Sequence, residues 1–243
     1  MSKLKTLVFR GNLIESHHEI KCTIGSLNGG KIFTTNNENE YVYPRSSIKI
    51  FQGITFARSN AISLYNLNKK QIALSCSSHC AENFHIKELK SWLNKIRLKA
   101  SNLKCGVHNP LDKKSSENLF LSGHKPYQIH NNCAGKHLAM VSCCLVNKFP
   151  IKNYVEFNHP HQVNIRDVFS KFTESKILKK NYGIDGCSAP QYAFKIKELN
   201  IALSNLLRSY NGNFEFAENV RSLIEPILNN PLFIGGSKNL DSN

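Results

Sequence analysis

Ser46-Ser47-Ile48-Lys49 sets a hydroxyl and an amine three residues apart, so on a helix both lie on one face within hydrogen-bonding reach. A lysine desolvated in such a place loses its proton near neutral pH and serves as the base that activates the serine. The same spacing recurs at Ser2/Lys5, Ser101/Lys104 and Ser122/Lys125, so spacing alone does not single out one pair. Ser78-His79-Cys80-Ala81-Glu82, followed by His85, gathers a hydroxyl, two imidazoles, a thiol and a carboxylate just after apolar residues 72–74. Nucleophile, base and metal ligand are all open there. So is a plain helix end, with Ser78 as cap and Glu82 structural.

Asn131-Asn132-Cys133-Ala134-Gly135-Lys136-His137 is a polar loop leading into an apolar stretch. A helix opening there offers free N–H groups and the positive end of its dipole to an anion or a thiolate, or is simply capped. Asp185-Gly186-Cys187-Ser188-Ala189-Pro190 repeats the pattern at the mouth of a further expected helix, so Cys133 and Cys187 are candidates to converge. Cys105-Gly106-Val107-His108 holds two zinc-competent side chains at a turn, too few for a closed site by themselves. Arg10 and Glu15 either bind a polar substrate or pair with each other.

The elements that must position these groups are mixed. Residues 6–9 and 18–26 read as extended, and Asn28-Gly29-Gly30 turns the second stretch back into residues 31–35 as a hairpin. Residues 34–39 are polar enough for a surface loop. A helix is expected from Arg45 or Ser46, with the serine as cap and Ile48, Phe51 and Ile54 at helical spacing. Ile86, Leu89, Leu93 and Ile96 mark an amphipathic helix with a solvated basic face of Lys87, Lys90, Lys95 and Arg97. Another helix should follow Lys136 through residues 137–146. A third should open after Pro190, burying Ile196, Leu199, Leu203, Leu206 and Leu207.

The 243 residues contain no repeat or Pro/Gly-rich linker, which predicts one domain large enough for a real core. Lys plus Arg is 32 against 17 acids, but the excess is scattered lysine without a basic run or aromatic interleaving. That pattern argues for a solvated surface and against a nucleic-acid partner. No stretch reaches the roughly 18 apolar residues of a membrane span, and residues 1–10 interleave bases with apolar residues, unlike a signal peptide. The eight cysteines lack the spacing of a disulfide framework and read as reduced thiols in a cytoplasmic protein.

Seven motifs, in order, resemble the asparaginase II family, the thermolabile, rhizobial type of L-asparaginase. They are Arg10-Gly11 with Glu15-Ser16-His17, Arg45-Ser46-x-x-Lys49, Ser78-His79 with Glu82 and His85, and Cys105-Gly106-x-His108-x-Pro110. Asn131-Asn132-Cys133-x-Gly135-Lys136-His137, His159-Pro160-x-Gln162 and Asp185-Gly186-Cys187-x-x-Pro190 complete the set. The resemblance runs from Arg10 to about Gly236. It implies an α/β chain of α+β type similar to serine β-lactamases and penicillin-binding proteins, its sheet flanked by helices, forming a homodimer. It also implies an amidohydrolase that cleaves L-asparagine to L-aspartate and ammonia.

By position Ser46 matches the family's nucleophile, Lys49 its base, and Ser78 the serine of a second Ser-Lys tandem. Cys133, Lys136 and Cys187 match zinc ligands, while Arg45, His79, Glu82, Asn132 and Asp185 match substrate-binding positions. Acylation of a serine by the amide, loss of ammonia and hydrolysis of the acyl-enzyme would follow, with backbone N–H groups holding the oxyanion for about 3 kcal/mol per donor. Thiolates suit zinc, and an amine ligand must first lose its proton.

The family pattern continues past the equivalent of residues 231–243, where a Lys-x-Gly-Ala-Glu-Gly-like strand supplies the second tandem's lysine. Pro231-Leu232-Phe233-Ile234-Gly235-Gly236 resembles the approach to that strand. The expectation is a Ser78 without a lysine partner and a sheet short of C-terminal strands, with an open edge and exposed apolar surface. Ala81 stands where glycine is usual. A catalytically impaired remnant that keeps an amino-acid or zinc site is the second reading. A penicillin-interacting enzyme would share Ser-x-x-Lys, but no Lys-Thr-Gly triplet occurs. A basic nucleic-acid binder would show affinity falling steeply with salt.

Overall fold

A computed structural model describes residues 4–27 and 30–240. The strands are β1 (Leu4–Arg10), β2 (Leu13–Ile20), β3 (Thr23–Gly25), β4 (Lys31–Thr34), β5 (Tyr41–Val42), β6 (Tyr182–Ile184), β7 (Pro190–Tyr192) and β8 (Phe194–Lys195). The helices are α1 (Lys49–Arg58), α2 (Ala61–Leu64), α3 (Lys69–Leu74), α4 (Asn83–Lys95), α5 (Lys113–Leu121), α6 (Ala134–Val146), α7 (Pro160–Thr173), α8 (Ile196–Tyr210) and α9 (Ala217–Leu228).

Helix α6 is the centre. Eleven consecutive residues from Ala134 to Cys144 are buried, which an apolar sequence on every face allows. Against it pack α1 and α4; Trp92 of α4 is fully enclosed and donates its indole N–H to Ser142 Oγ at 3.0 Å. On the far side of α1, Phe51 meets Phe169 and Phe172 of α7 with ring centroids 5.9 and 5.4 Å apart. Side chains close the helix starts locally. Asn68 Oδ1 accepts from Gln71 N at 2.9 Å at the head of α3, Asp112 accepts from Ser115 N at 2.8 Å at α5, and His159 Nδ1 accepts from His161 N at 3.2 Å at α7.

The strands differ from the expected sheet between helices. Among the described residues they form four separate antiparallel pairs, β1 with β2, β3 with β4, β5 with β8 and β6 with β7. The β3–β4 hairpin forms as read, although residues 28–29 of its turn lie outside the described residues. In the β1–β2 hairpin every residue except Ser16 is exposed, Phe9, Leu13 and Ile14 included, and Arg10 pairs with Glu15. The substrate-binding reading of Arg10 therefore gives way to the plain ion pair.

Three further expectations are corrected. Pro190 opens strand β7, not a helix, because Asp185 N bonds to Ala189 O at 2.9 Å and Ser188 N to Asp185 O at 2.8 Å, folding residues 185–189 into a hairpin turn. The helix begins only at Ile196, and Leu203 and Leu207 lie on its exposed side while Ala202, Leu206 and Ser209 face the core. On α4, Lys95 is not merely solvated, since its ammonium donates to Asn66 O at 2.6 Å and to Gln71 Oε1 at 3.0 Å.

Several core positions are histidines kept neutral. Burial, with His159 adding to it, pushes His161 down to about 3, and burial also holds His79 well below the ordinary imidazole value. His161 Nε2 and Gln52 Oε1 have no protein partner and line one internal cavity of about 10 Å³. Above the unfolded value near 6.5 neither state is charged; below it the unfolded chain takes protons that the fold refuses. The unfolding free energy from urea melts should therefore fall on going from pH 7 to pH 5, by about 2 kcal/mol in total for each such histidine. The His161→Leu variant should lose part of that slope, and an unchanged slope would show that this side chain is charged in the folded protein.

Candidate active site

Ser46 sits in the short 3₁₀ turn Arg45–Ile48, and Lys49 opens α1 directly behind it. The turn begins on a strained backbone, with Arg45 at φ +55° in the left-handed region. Ser46 is exposed and caps nothing, whereas Lys49 is 2% exposed. The buried ammonium points inward to find acceptors, on Ser77 O and on Ser78 Oγ at 2.7 Å. Ser78 Oγ in turn lies 3.1 Å from Ser46 Oγ. The expected direct Ser46–Lys49 contact is thus replaced by a relay through Ser78. Ser78 thus has a lysine partner in Lys49, the lysine of the first tandem. Burial pushes the Lys49 amine down, Cys133 and Cys187 pull it back up, Lys136 pushes it down again, and the net direction is down.

The loop carrying Ser78 is fixed from the C-terminal side. Ser78 N donates to Ile234 O at 2.8 Å and Cys80 N to Gly235 O at 3.0 Å, while Glu82 accepts from Ser237 N at 2.7 Å and from Ser237 Oγ at 2.8 Å. A Cβ on Gly236 would stand 2.2 Å from Cys80 Sγ, so the two segments fit only with glycine there. Ala81 has φ +63°, the conformation that explains why glycine is usual at that position. Cys80, Glu82 and His85 bring one ligand atom each within 4.8 Å of one another. Those atoms are already engaged: Cys80 Sγ donates to Glu82 at 3.1 Å, Glu82 N donates to His85 Nδ1 at 3.2 Å, and His85 Nε2 meets Leu232 O at 3.0 Å. The cluster works as a clamp on residues 232–237. Burial would raise Glu82, but bonds from Ser237 and Cys80 hold its carboxyl below the usual range. His79 is fully enclosed, its Nδ1 accepting from Ala81 N at 3.2 Å and its ring stacked on His85.

Behind Lys49 lies a second cluster. Cys133 precedes α6, Lys136 is in its first turn, and Cys187 comes from the β6–β7 turn; all three are buried. Lys136 Nζ donates to Cys187 Sγ at 3.1 Å, and Cys133 neighbours the same sulfur. The neighbouring Cys133, then His137 and the charge of Lys136, outweigh burial and draw the Cys187 thiol below its ordinary value. The bond to Cys187 and burial push Cys133 up. Burial would lower Lys136, but the sulfurs raise it above the ordinary amine value. Two sulfurs and an amine are donors that suit zinc, so this set fits the metal chemically, provided Cys133 and Lys136 give up their protons.

Arg45 pairs with Asp185 at 2.7 Å at the outer face of this cluster, the guanidinium largely exposed. Asn132 is held by its backbone, its N–H donating to His108 Nε2 at 3.0 Å, and Asn131 Nδ2 donates to Cys105 O at 2.7 Å. Cys105 and His108 therefore brace the 131–132 loop. His159 and Gln162 likewise support structure, His159 through Pro150 O at 2.8 Å and Gln162 through Tyr154 O at 2.9 Å. The sequence reading missed Tyr154, a buried residue with no motif around it, whose hydroxyl lies 2.6 Å from His137 Nδ1.

Of the seven motifs, two meet as a serine–serine–lysine relay and two others as an N/S donor cluster behind it. Residues 6–243 match the family described as L-asparaginase II, and the chain belongs to that family. No curated protein matches the chain in sequence. The family makes amide hydrolysis of L-asparagine the activity to test.

Gly135 accounts for one motif position by itself. A Cβ there would stand 2.0 Å from Leu74 O, because the first turn of α6 presses on the carbonyl end of α3. Backbone cannot yield as a side-chain tip can. The Gly135→Ala variant should lose at least about 3 kcal/mol in chemical denaturation, of the order of the largest single-residue effects; a melt within 1 °C of the parent would refute the close approach.

Proposed function

We propose that this protein hydrolyses the side-chain amide of L-asparagine through an acyl-enzyme on Ser46. One observation supports this reading above the others: the unbroken hydrogen-bonded line from an exposed hydroxyl, through Ser78, to a buried lysine. Ser46 Oγ attacks the amide carbon as its proton passes to Ser78 Oγ and the Ser78 proton passes to neutral Lys49 Nζ. The relay runs back to protonate the departing nitrogen, which leaves as ammonia. Water then attacks the Ser46 ester by the same proton path, releasing L-aspartate. Placing the base in the interior favours its neutral form, and placing the nucleophile at the surface gives the substrate access.

Arg45 and Asp185 present a cation and an anion side by side, a match for the carboxylate and ammonium of an α-amino acid. Cys133, Lys136 and Cys187 would hold zinc, which supplies a fixed positive charge next to the site when bound. Ser-x-x-Lys at the head of a buried helix supports kinship with the serine β-lactamase fold.

Ammonia release from L-asparagine should fall by about 10³-fold in Ser46→Ala, and by about 10²- to 10⁴-fold in Lys49→Met and Ser78→Ala. Equal release by Ser46→Ala and parent would remove Ser46 from the mechanism. A parent that binds asparagine without releasing ammonia would be the catalytically impaired relative instead.

A further inference from the structure

Ser78 has to meet two distances at once, since its Oγ lies 2.7 Å from Lys49 Nζ and 3.1 Å from Ser46 Oγ. No helix or strand sets them, because residues 77–82 are irregular and run between α3 and α4. Their backbone bonds go to other segments instead. Ser78 N donates to Ile234 O at 2.8 Å and Cys80 N to Gly235 O at 3.0 Å, while Cys80 O accepts from Asp112 N at 3.0 Å. Ala81, at φ +63°, keeps a left-handed backbone that an alanine retains only where its surroundings over-determine it. The segment that supplies the two carbonyls is pinned to the head of α4 at two points. At one, Leu232 O meets His85 Nε2 at 3.0 Å and the Phe233 ring meets Phe84 edge-on, centroids 5.2 Å apart. At the other, Ser237 donates to both oxygens of Glu82, from N at 2.7 Å and from Oγ at 2.8 Å. Ile234 and Gly235 lie between the pins. The Lys238–Asp112 pair beyond them is 3.9 Å long with the lysine largely exposed, too weak to replace the second pin.

We propose that Ser237 is a positioning residue for the Ser46–Ser78–Lys49 relay, acting through Glu82 and the carbonyls of Ile234 and Gly235 on the backbone of Ser78. Its own bonds go to Glu82 and not to the relay. Without the second pin, the two carbonyls hang from a segment fastened to α4 at one end only, and the loop they hold can drift. A drift of about 1 Å at a reacting group costs of the order of 10²-fold in rate. The proposal rests on the relay reading of the mechanism and adds to it a residue that no motif marked.

The test is ammonia release from L-asparagine by the full chain, with kcat and KM measured separately. Ser237→Ala keeps the N–H and loses the Oγ bond, so kcat should fall about 10-fold while KM stays within about twofold. Ser237→Thr restores the hydroxyl and should bring kcat back to within about threefold of the parent. Gly236→Ala keeps both Ser237 donors but puts a Cβ 2.2 Å from Cys80 Sγ and 2.7 Å from Glu82 Oε1, which wedges the segment off the loop; kcat should fall by about 10²-fold. Near-UV circular dichroism establishes that each variant is folded, and if Gly236→Ala is not, the two Ser237 variants decide. In a Ser78→Ala background, Ser237→Ala should cost nothing further, because the link it positions is gone, whereas a general loosening of the fold would subtract its factor again. Where Ser78→Ala is too slow to time, the separation of kcat from KM and the threonine rescue decide. The positioning role is overturned by parental kcat in Ser237→Ala, by a loss carried in KM, by a threonine variant as slow as the alanine one, or by full additivity with Ser78→Ala. A parent that releases no ammonia refutes the relay reading itself, and the proposal with it.

Discussion

Two lysine amines enclosed in the interior are the constraint around which this molecule is arranged. Lys49 and Lys136 are 2% and 3% exposed, and an isolated buried charge would be ruinous. They are answered differently. Lys136 donates to the Cys187 sulfur and is held above the ordinary amine value, while Lys49 has hydroxyl and carbonyl partners and is pushed toward its neutral form. Two lysines near each other thus take opposite protonation tendencies from their surroundings.

The histidines show a complementary economy. In His79, His85 and His130 a backbone N–H occupies Nδ1, so each ring is neutral with its proton on Nε2. His137 Nδ1 lies 2.6 Å from the Tyr154 hydroxyl. Burial lowers the pKa of all four, so none adds a further positive charge to an interior that already contains two amines.

Much of this was legible in the residues. The apolar spacing of Leu89 and Leu93 gave α4, the uninterrupted apolar run gave α6, and the meeting of Cys133 with Cys187 followed from their motifs. Other parts depend on geometry that spacing does not encode. A serine and a lysine three residues apart predict a direct contact, but the turn holding Ser46 faces solvent and Lys49 faces the core, so only a third residue distant in sequence joins them. Pro190 is as compatible with the start of a strand as with the start of a helix, and the turn bonds of residues 185–189 decide between them. Tyr154 carries no local signal, because its role comes from two residues brought to it by the fold.

The β1–β2 hairpin stands apart from all of this. Its two strands pack chiefly on each other and leave Phe9, Leu13 and Ile14 in water, and among the described residues no third strand joins the ladder. A lone two-stranded ribbon is marginal by itself. Its amides should exchange with solvent deuterium through local opening, on a clock unrelated to the helical body's, so a substitution within residues 4–20 can abolish the ribbon without moving the main thermal transition.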